Sequence, residues 1–207
     1  MRALVAAPPT LLIAVLLVAG CAAGSPAPAG STAPSATVPP AVAPPSAVPA
    51  TGTAGPFSGT DIAWLQLTVA MAERLQPVLD LVPARTTDPA WRRLAAQVGA
   101  AHRADLDRSR RLLADSGAPA TNPHEGHDMP GMITAEELTA LRSAAGKPFD
   151  RLLAQHLRAH LAQSVRIATA EQQGGVHPAT TALAAAVVRG GNAELARLDR
   201  LDGASSR

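Results

Sequence analysis

The sequence predicts an all-α protein, a four-helix bundle made of two repeated helical hairpins behind a disordered tether. Three observations carry this. From Asp61 onward the chain is rich in Leu, Ala and Arg, has no Tyr and almost no β-branched runs, a composition that favours helix. Apolar residues in this part recur at spacings of three and four, which gives each helix one stripe for a core. The two halves also superpose, without a gap, when shifted by 89 positions. Asp61 then falls on Asp150, Gln66 on Gln155, Pro89 on Pro178, Leu94 on Leu183, Val98 on Val187, Leu106 on Leu195 and Arg108 on Arg197, with Asp105 opposite Glu194. Neither hairpin can bury its apolar face alone, so the two should pack on each other.

The chain opens differently. Met1 and Arg2 make a short positive start, and Leu11 to Val18 form an apolar run too short to cross a bilayer, so residues 1–20 read as a signal peptide. The run ends in Val18-Ala19-Gly20-Cys21, which resembles the lipobox of bacterial lipoproteins. That resemblance implies cleavage before Cys21 and lipid attachment to its sulfur, and hence a protein held on the outer side of the cell membrane. The alternative is a plain secretory signal with an incidental cysteine. Cys21 is the only cysteine, so it makes no internal disulfide. After Cys21, residues 22–56 contain only Ala, Pro, Ser, Thr, Gly and Val with no charge, and lack the large apolar side chains that offset the entropy of ordering, so that 21–56 is set apart from the folded part. They read as an extended tether.

The folded part spans 57–203, with a first repeat at 57–117, a loop at 118–133 and a second repeat at 134–203. The first helix should begin near Ser58–Asp61 and turn Trp64, Met71, Leu75, Val78 and Val82 inward; Pro77 should kink it or end its regular part. Asp88-Pro89 reads as an N-cap followed by Pro at the first helical position, opening a helix that carries Trp91, Leu94, Val98 and Leu106 and ends near Gly117. Thr134-Ala135-Glu136-Glu137 has the form of a capping box and opens a short helix to about Ala145. Gly146 and Pro148 should interrupt before a long helix from about Phe149 to Gln173, which has Leu153, Leu157, Leu161 and Ala168 inward. His177-Pro178 opens the last helix, weakened in its middle by Gly190-Gly191.

A resemblance joins these residues. Asp61-Ile62-Ala63-Trp64-Leu65, Leu94-Ala95-Ala96-Gln97-Val98, Met129-Pro130-Gly131-Met132, Gly146, Phe149-Asp150 and His160 occur in this order and resemble the bacterial family called domain of unknown function 305, over roughly Phe57 to Gly203. The resemblance implies a ferritin-like bundle, an exported protein and, in some members, a link to copper. It also implies a His-His pair on the first helix of each repeat. Those positions are Met71 and Ala72 in the first repeat and His160 and Leu161 in the second, so three of the four histidines are absent.

The chemistry concentrates in His124-Glu125-Gly126-His127-Asp128-Met129-Pro130-Gly131-Met132. Thioether and imidazole suit copper: Met favours Cu(I), and His accepts Cu(I) or Cu(II). His124 and His127 in a flexible loop can share an ion with Met129 or Met132; alternatively the loop is a polar connector whose methionines pack on the bundle. His156 and His160 stand one turn apart on one helix face and can chelate an ion, or can be partly buried histidines bonded to Asp105 or Glu194. His102 should pair locally with Asp105, and His177 should cap the last helix. Zinc ranks behind copper.

No Glu-x-x-His occurs, which argues against a di-iron enzyme, and no phosphate loop or nucleophile elbow is present. Arg residues alternate with Asp and Glu along the helices, the pattern of a solvated face and not of a nucleic-acid surface. The expectation is a non-enzymatic, lipid-anchored envelope protein that binds or buffers copper. The competing expectation is a structural or interaction module whose metal site has decayed.

Overall fold

The computed structural model describes residues 56–119, 121 and 123–205. The signal-like segment, Cys21 and the expected tether lie outside them, apart from Pro56. Five helices follow one another: α1 (Gly59–Arg85), α2 (Pro89–Ser116), α3 (Ala135–Ser143), α4 (Gly146–Gly174) and α5 (Pro178–Ser205). No strand occurs among the described residues. Both ends of α5 lie 89 positions after those of α2, so the offset seen in the sequence returns in the helix boundaries.

Local chemistry sets most boundaries. Ser58 caps α1 in a complete capping box with Asp61, and Thr134 caps α3 in another with Glu137. Asp88 accepts from the Ala90 N–H at the start of α2, and Gly117, at φ 71°, ends that helix in the left-handed conformation.

Of the two outcomes expected at Pro77, an end to the helix does not occur: α1 runs through Pro77 and Pro83 to Arg85. Leu75, Val78, Leu79 and Val82 are buried on both sides of Pro77, and this packing outweighs the lost hydrogen bond. Pro148 does not interrupt α4. It sits in the first turn, where its missing N–H has no intrahelical acceptor to lose. Gly190-Gly191 likewise leaves α5 continuous. A Cβ at Gly191 would lie 2.6 Å from Val165 Cγ2, so the glycine lets α5 approach α4 closely.

α1 packs on α2 and α4 on α5; across the hairpins α1 meets α4 and α2 meets α5. The directions follow from two buried carboxylates. Asp61, at the start of α1, accepts from the backbone N–H groups of Val176 and His177 just beyond α4 (3.2 and 3.1 Å). Asp150, at the start of α4, accepts from the Thr86 hydroxyl just beyond α1. Helices α1 and α4 are therefore antiparallel, and the order is up, down, down, up. In that arrangement α2 ends at the opposite end of the bundle from where α4 begins. The connection between the hairpins must run the length of the bundle, roughly 40 Å for helices of this size. It carries α3, which packs on α1 and α4.

The apolar core has two main parts. One gathers Leu75, Val78, Trp91, Val98, Phe149, Leu153, Leu157 and Leu198, the other Trp64, Leu65, Ala168, Leu183 and Ala184.

Beside Asp61 lies Glu171, 1% exposed, whose oxygens meet no N–H or hydroxyl donor. Burial, the hydrogen bond with Asp61 and the Asp61 charge push the Glu171 carboxyl up to about 8. Burial also works to raise Asp61, but the Ser58 hydroxyl and N–H, Glu171 and the His177 N–H outweigh it and hold Asp61 at about 2. Glu171 is thus the protonated partner that donates to Asp61. Because its folded value exceeds its ordinary 4.5, its contribution to stability is complete below about 4.5 and is lost as pH rises towards about 8. Asp61 acts in the opposite sense: its contribution is present above about 3.8 and is lost as pH falls towards about 2. Urea midpoints measured from pH 5 to pH 9 should fall for the wild type. Glu171→Gln keeps a donor to Asp61 and cannot ionise, so its midpoints should stay nearly level.

Candidate functional site

Between the two apolar parts, at mid-height in the bundle, is a cavity of about 50 Å³. Its polar lining comes from all four long helices: Thr68 of α1, His102 and Asp105 of α2, His160 and Ser164 of α4, and Glu194 of α5. The volume suits an ion or one or two small molecules such as water. Met71, Ala72, His160 and Leu161 all line it. These are the four positions at which the family resemblance places histidine pairs, and they meet at one cavity. Only His160 remains a histidine. His102, offset by 89 from Gly191, supplies the second imidazole.

His160 is 1% exposed. Its Nδ1 lies 3.1 Å from the Gly131 carbonyl, which can only accept, so Nδ1 carries the proton. Burial, reinforced by the nearby His102, pulls the ring down to about 3 despite that hydrogen bond. His160 is therefore a neutral imidazole with its lone pair on Nε2. A metal-binding histidine needs this form: one nitrogen donates to a fixed carbonyl and the other keeps its lone pair. The ring centroids of His102 and His160 are 5.1 Å apart. His102 Nε2 stands 3.6 Å from a Glu194 oxygen on α5, so its partner lies across the bundle and not, as expected, on its own helix. Burial pushes the Asp105 carboxyl up; His102 and Arg108 oppose this, and Glu194 adds to it.

The loop is divided by the fold. Pro130 followed by Gly131 at φ 82°, with Met132 N–H donating to Met129 C=O at 2.9 Å, has the signature of a type II turn. Met132 is buried with Ala70 and Met71, and Met129 packs against the same group. The three methionines after Met1 thus form one patch, and Met71 also borders the cavity. Arg74 of α1 reaches Asp128 at 2.7 Å and holds the loop from the other side. His127 is exposed, while His124 is half-buried in a turn with it. Burial and then the His127 charge lower the His124 imidazole.

His156 and His160 are buried on the same helix but meet different groups: His156 Nδ1 is 3.5 Å from Glu137 of α3. His177 opens α5, its ring against Thr180 Oγ1 at 3.1 Å and stacked on Phe57. Among the described residues no group of three or more His, Cys, Asp or Glu is arranged to hold a metal ion. Of the residues that line the cavity, His160, His102 and Met71 are the ones that carry imidazole or thioether groups. Sequence reasoning paired His102 with Asp105 and offered Glu194 to His156 or His160, and so missed that His102 and Glu194 meet each other at the cavity. The overlay that set Asp105 opposite Glu194 was the available signal, since matching positions of two packed hairpins face a common axis.

Met132→Ala should cost about 2–5 kcal/mol, as for other buried methionines. His156→Ala, which removes a buried ring as well as its long contact with Glu137, should cost less, about 1–3 kcal/mol. Urea denaturation of both variants checks the pair.

The family model described as Domain of unknown function (DUF305) matches residues 68–202, well over half of the chain. A solved structure of a DUF305 protein from Streptomyces coelicolor, assigned as secreted, is 20% identical with a TM-score of 0.63, covering 69% of this chain and 91% of that one. A DUF305 fragment from Deinococcus radiodurans is 17% identical with a TM-score of 0.66, covering 72% and 99%. At such identities the likeness concerns the fold. Among curated proteins none matches significantly.

Proposed function

The chain belongs to the DUF305 family, and from that premise we propose that it is an exported, lipid-anchored protein that holds a copper ion, as Cu(I), in the cavity at the centre of its bundle. It binds the ion and does not turn over a substrate. The observation that carries this reading is His160: buried, neutral, its Nδ1 spent on a backbone carbonyl, beside a second imidazole and a thioether. Two imidazoles and a thioether favour Cu(I) over zinc, which takes four ligands and more often carboxylate or thiolate among them. His102, His160 and Met71 would hold the ion, and Asp105 and Glu194 would balance its charge. The exposed His127 and the neighbouring His124 stand as a secondary, external binding point, and His156 is left with Glu137.

Export and anchoring rest on the signal-like start and Cys21, which lie outside the described residues, and on the Streptomyces coelicolor relative assigned as secreted. No described helix is long and apolar enough to cross a membrane. The membrane would be engaged through the lipid on Cys21.

A second reading has its own observation. Glu194 already engages His102, and no cluster of three ionisable ligands is present among the described residues. On that reading the protein is an envelope interaction module whose metal site has decayed.

Competition titration with a Cu(I) chelator separates the two. One ion bound more tightly than about micromolar, some 8 kcal/mol, and at least tenfold weaker binding in His160→Leu, with little change in a His124→Ala/His127→Ala variant, supports the cavity site. Binding lost only in the loop variant moves the site to the loop. No binding in the wild type leaves the interaction module.

A further inference from the structure

The turn at Met129–Met132 does not line the cavity but contacts two residues that do, His160 and Met71. We propose that docking of this turn on α4 controls ion binding in the cavity, with Gly131 as the positioning residue that sets which nitrogen of His160 carries the proton and which keeps its lone pair for the ion. This rests on the reading of the cavity as an ion site.

The turn fits α4 only because residue 131 is glycine. An added Cβ would lie 2.6 Å from Gln163 Cβ and 2.9 Å from the Ala159 carbonyl oxygen, and φ is 82°. Neither neighbour is the free end of a flexible side chain, so the fit has no slack. This close approach brings the Gly131 carbonyl to His160 Nδ1. Released from that acceptor, the neutral ring is free to carry its proton on Nε2, the atom the ion needs bare. The turn also buries Met132 against Met71, which borders the cavity, so its departure uncovers a second donor. The loop is held elsewhere by the Arg74–Asp128 pair, which can be loosened without touching His160. If the docked state binds the ion more tightly, the ion must favour docking by the same factor.

The test uses the full-length chain. Imidazole nitrogen NMR on the ion-free protein should show His160 protonated on Nδ1, and in Gly131→Ala the Nε2-protonated form should appear. Cu(I) affinity should fall at least tenfold in Gly131→Ala. In Gly126→Ala it should stay within about twofold, because Gly126 also has positive φ (76°) but a Cβ there meets nothing. Should Gly131→Ala not fold, Asp128→Asn loosens the loop more gently, and the same two readouts should move in the same direction by a few fold. A wild-type His160 protonated on Nε2, or a tautomer and affinity unmoved by both variants, would overturn the proposal. Failure of the wild type to bind Cu(I) would sink the copper reading and the coupling with it. The tautomer measurement would then still decide whether the turn positions His160.

Discussion

A carboxylate withdrawn from water needs several donors at once, and Asp61 finds them in three separate parts of the chain. Ser58 supplies its N–H and hydroxyl from the turn before α1, Val176 and His177 supply N–H groups from the loop between α4 and α5, and Glu171 supplies a proton from the end of α4. The chain start of one hairpin is thereby tied to the bend of the other. At the far end Asp150 and Thr86 make the reciprocal tie with fewer donors, and burial leaves the Asp150 carboxyl raised. Two polar clasps fix the antiparallel register of α1 on α4. Everything at mid-height, the cavity included, inherits its alignment from them.

That register gives the crossover its role. A connection forced to travel the length of the bundle passes the middle of α4 on its way, and the Met-Pro-Gly-Met turn falls there. His160 is buried at the same height, where an unpaired imidazole N–H would cost on the order of 1–3 kcal/mol. The crossover supplies a carbonyl to it, and its methionines close the gap beside Met71. The loop is a part of the core that happens to lack helix.

Helices, caps and the hairpin repeat were legible in the sequence because they are local or periodic: Ser58, Asp88, Gly117 and Thr134 act within four residues of themselves. Pro148 costs little because it falls in the first turn of α4, and Pro77 does not end α1 because its cost is local while the packing that overrides it is not. In the same way, the sequence marked His160 and the loop methionines as notable but gave no means of seeing that they meet, since that depends on the path of the crossover. Glu171 was legible in principle. The offset of 89 sets it on Val82, a fully apolar core position, and a carboxyl there must be either protonated or paired. His102 escaped for the opposite reason, because its counterpart Gly191 has no side chain to announce a site.

The duplication has a consequence for how such a cavity can change. Two separate copies of one hairpin, meeting as a homodimer, would present every substitution twice across their shared axis. Joined in one chain, the halves are released from that symmetry. Met71 can face His160 and His102 can face Gly191, so a ligand can be dropped on one side or recruited on the other without its mirror image. Joining the hairpins by a crossover thus leaves each wall of the cavity free to differ from its counterpart.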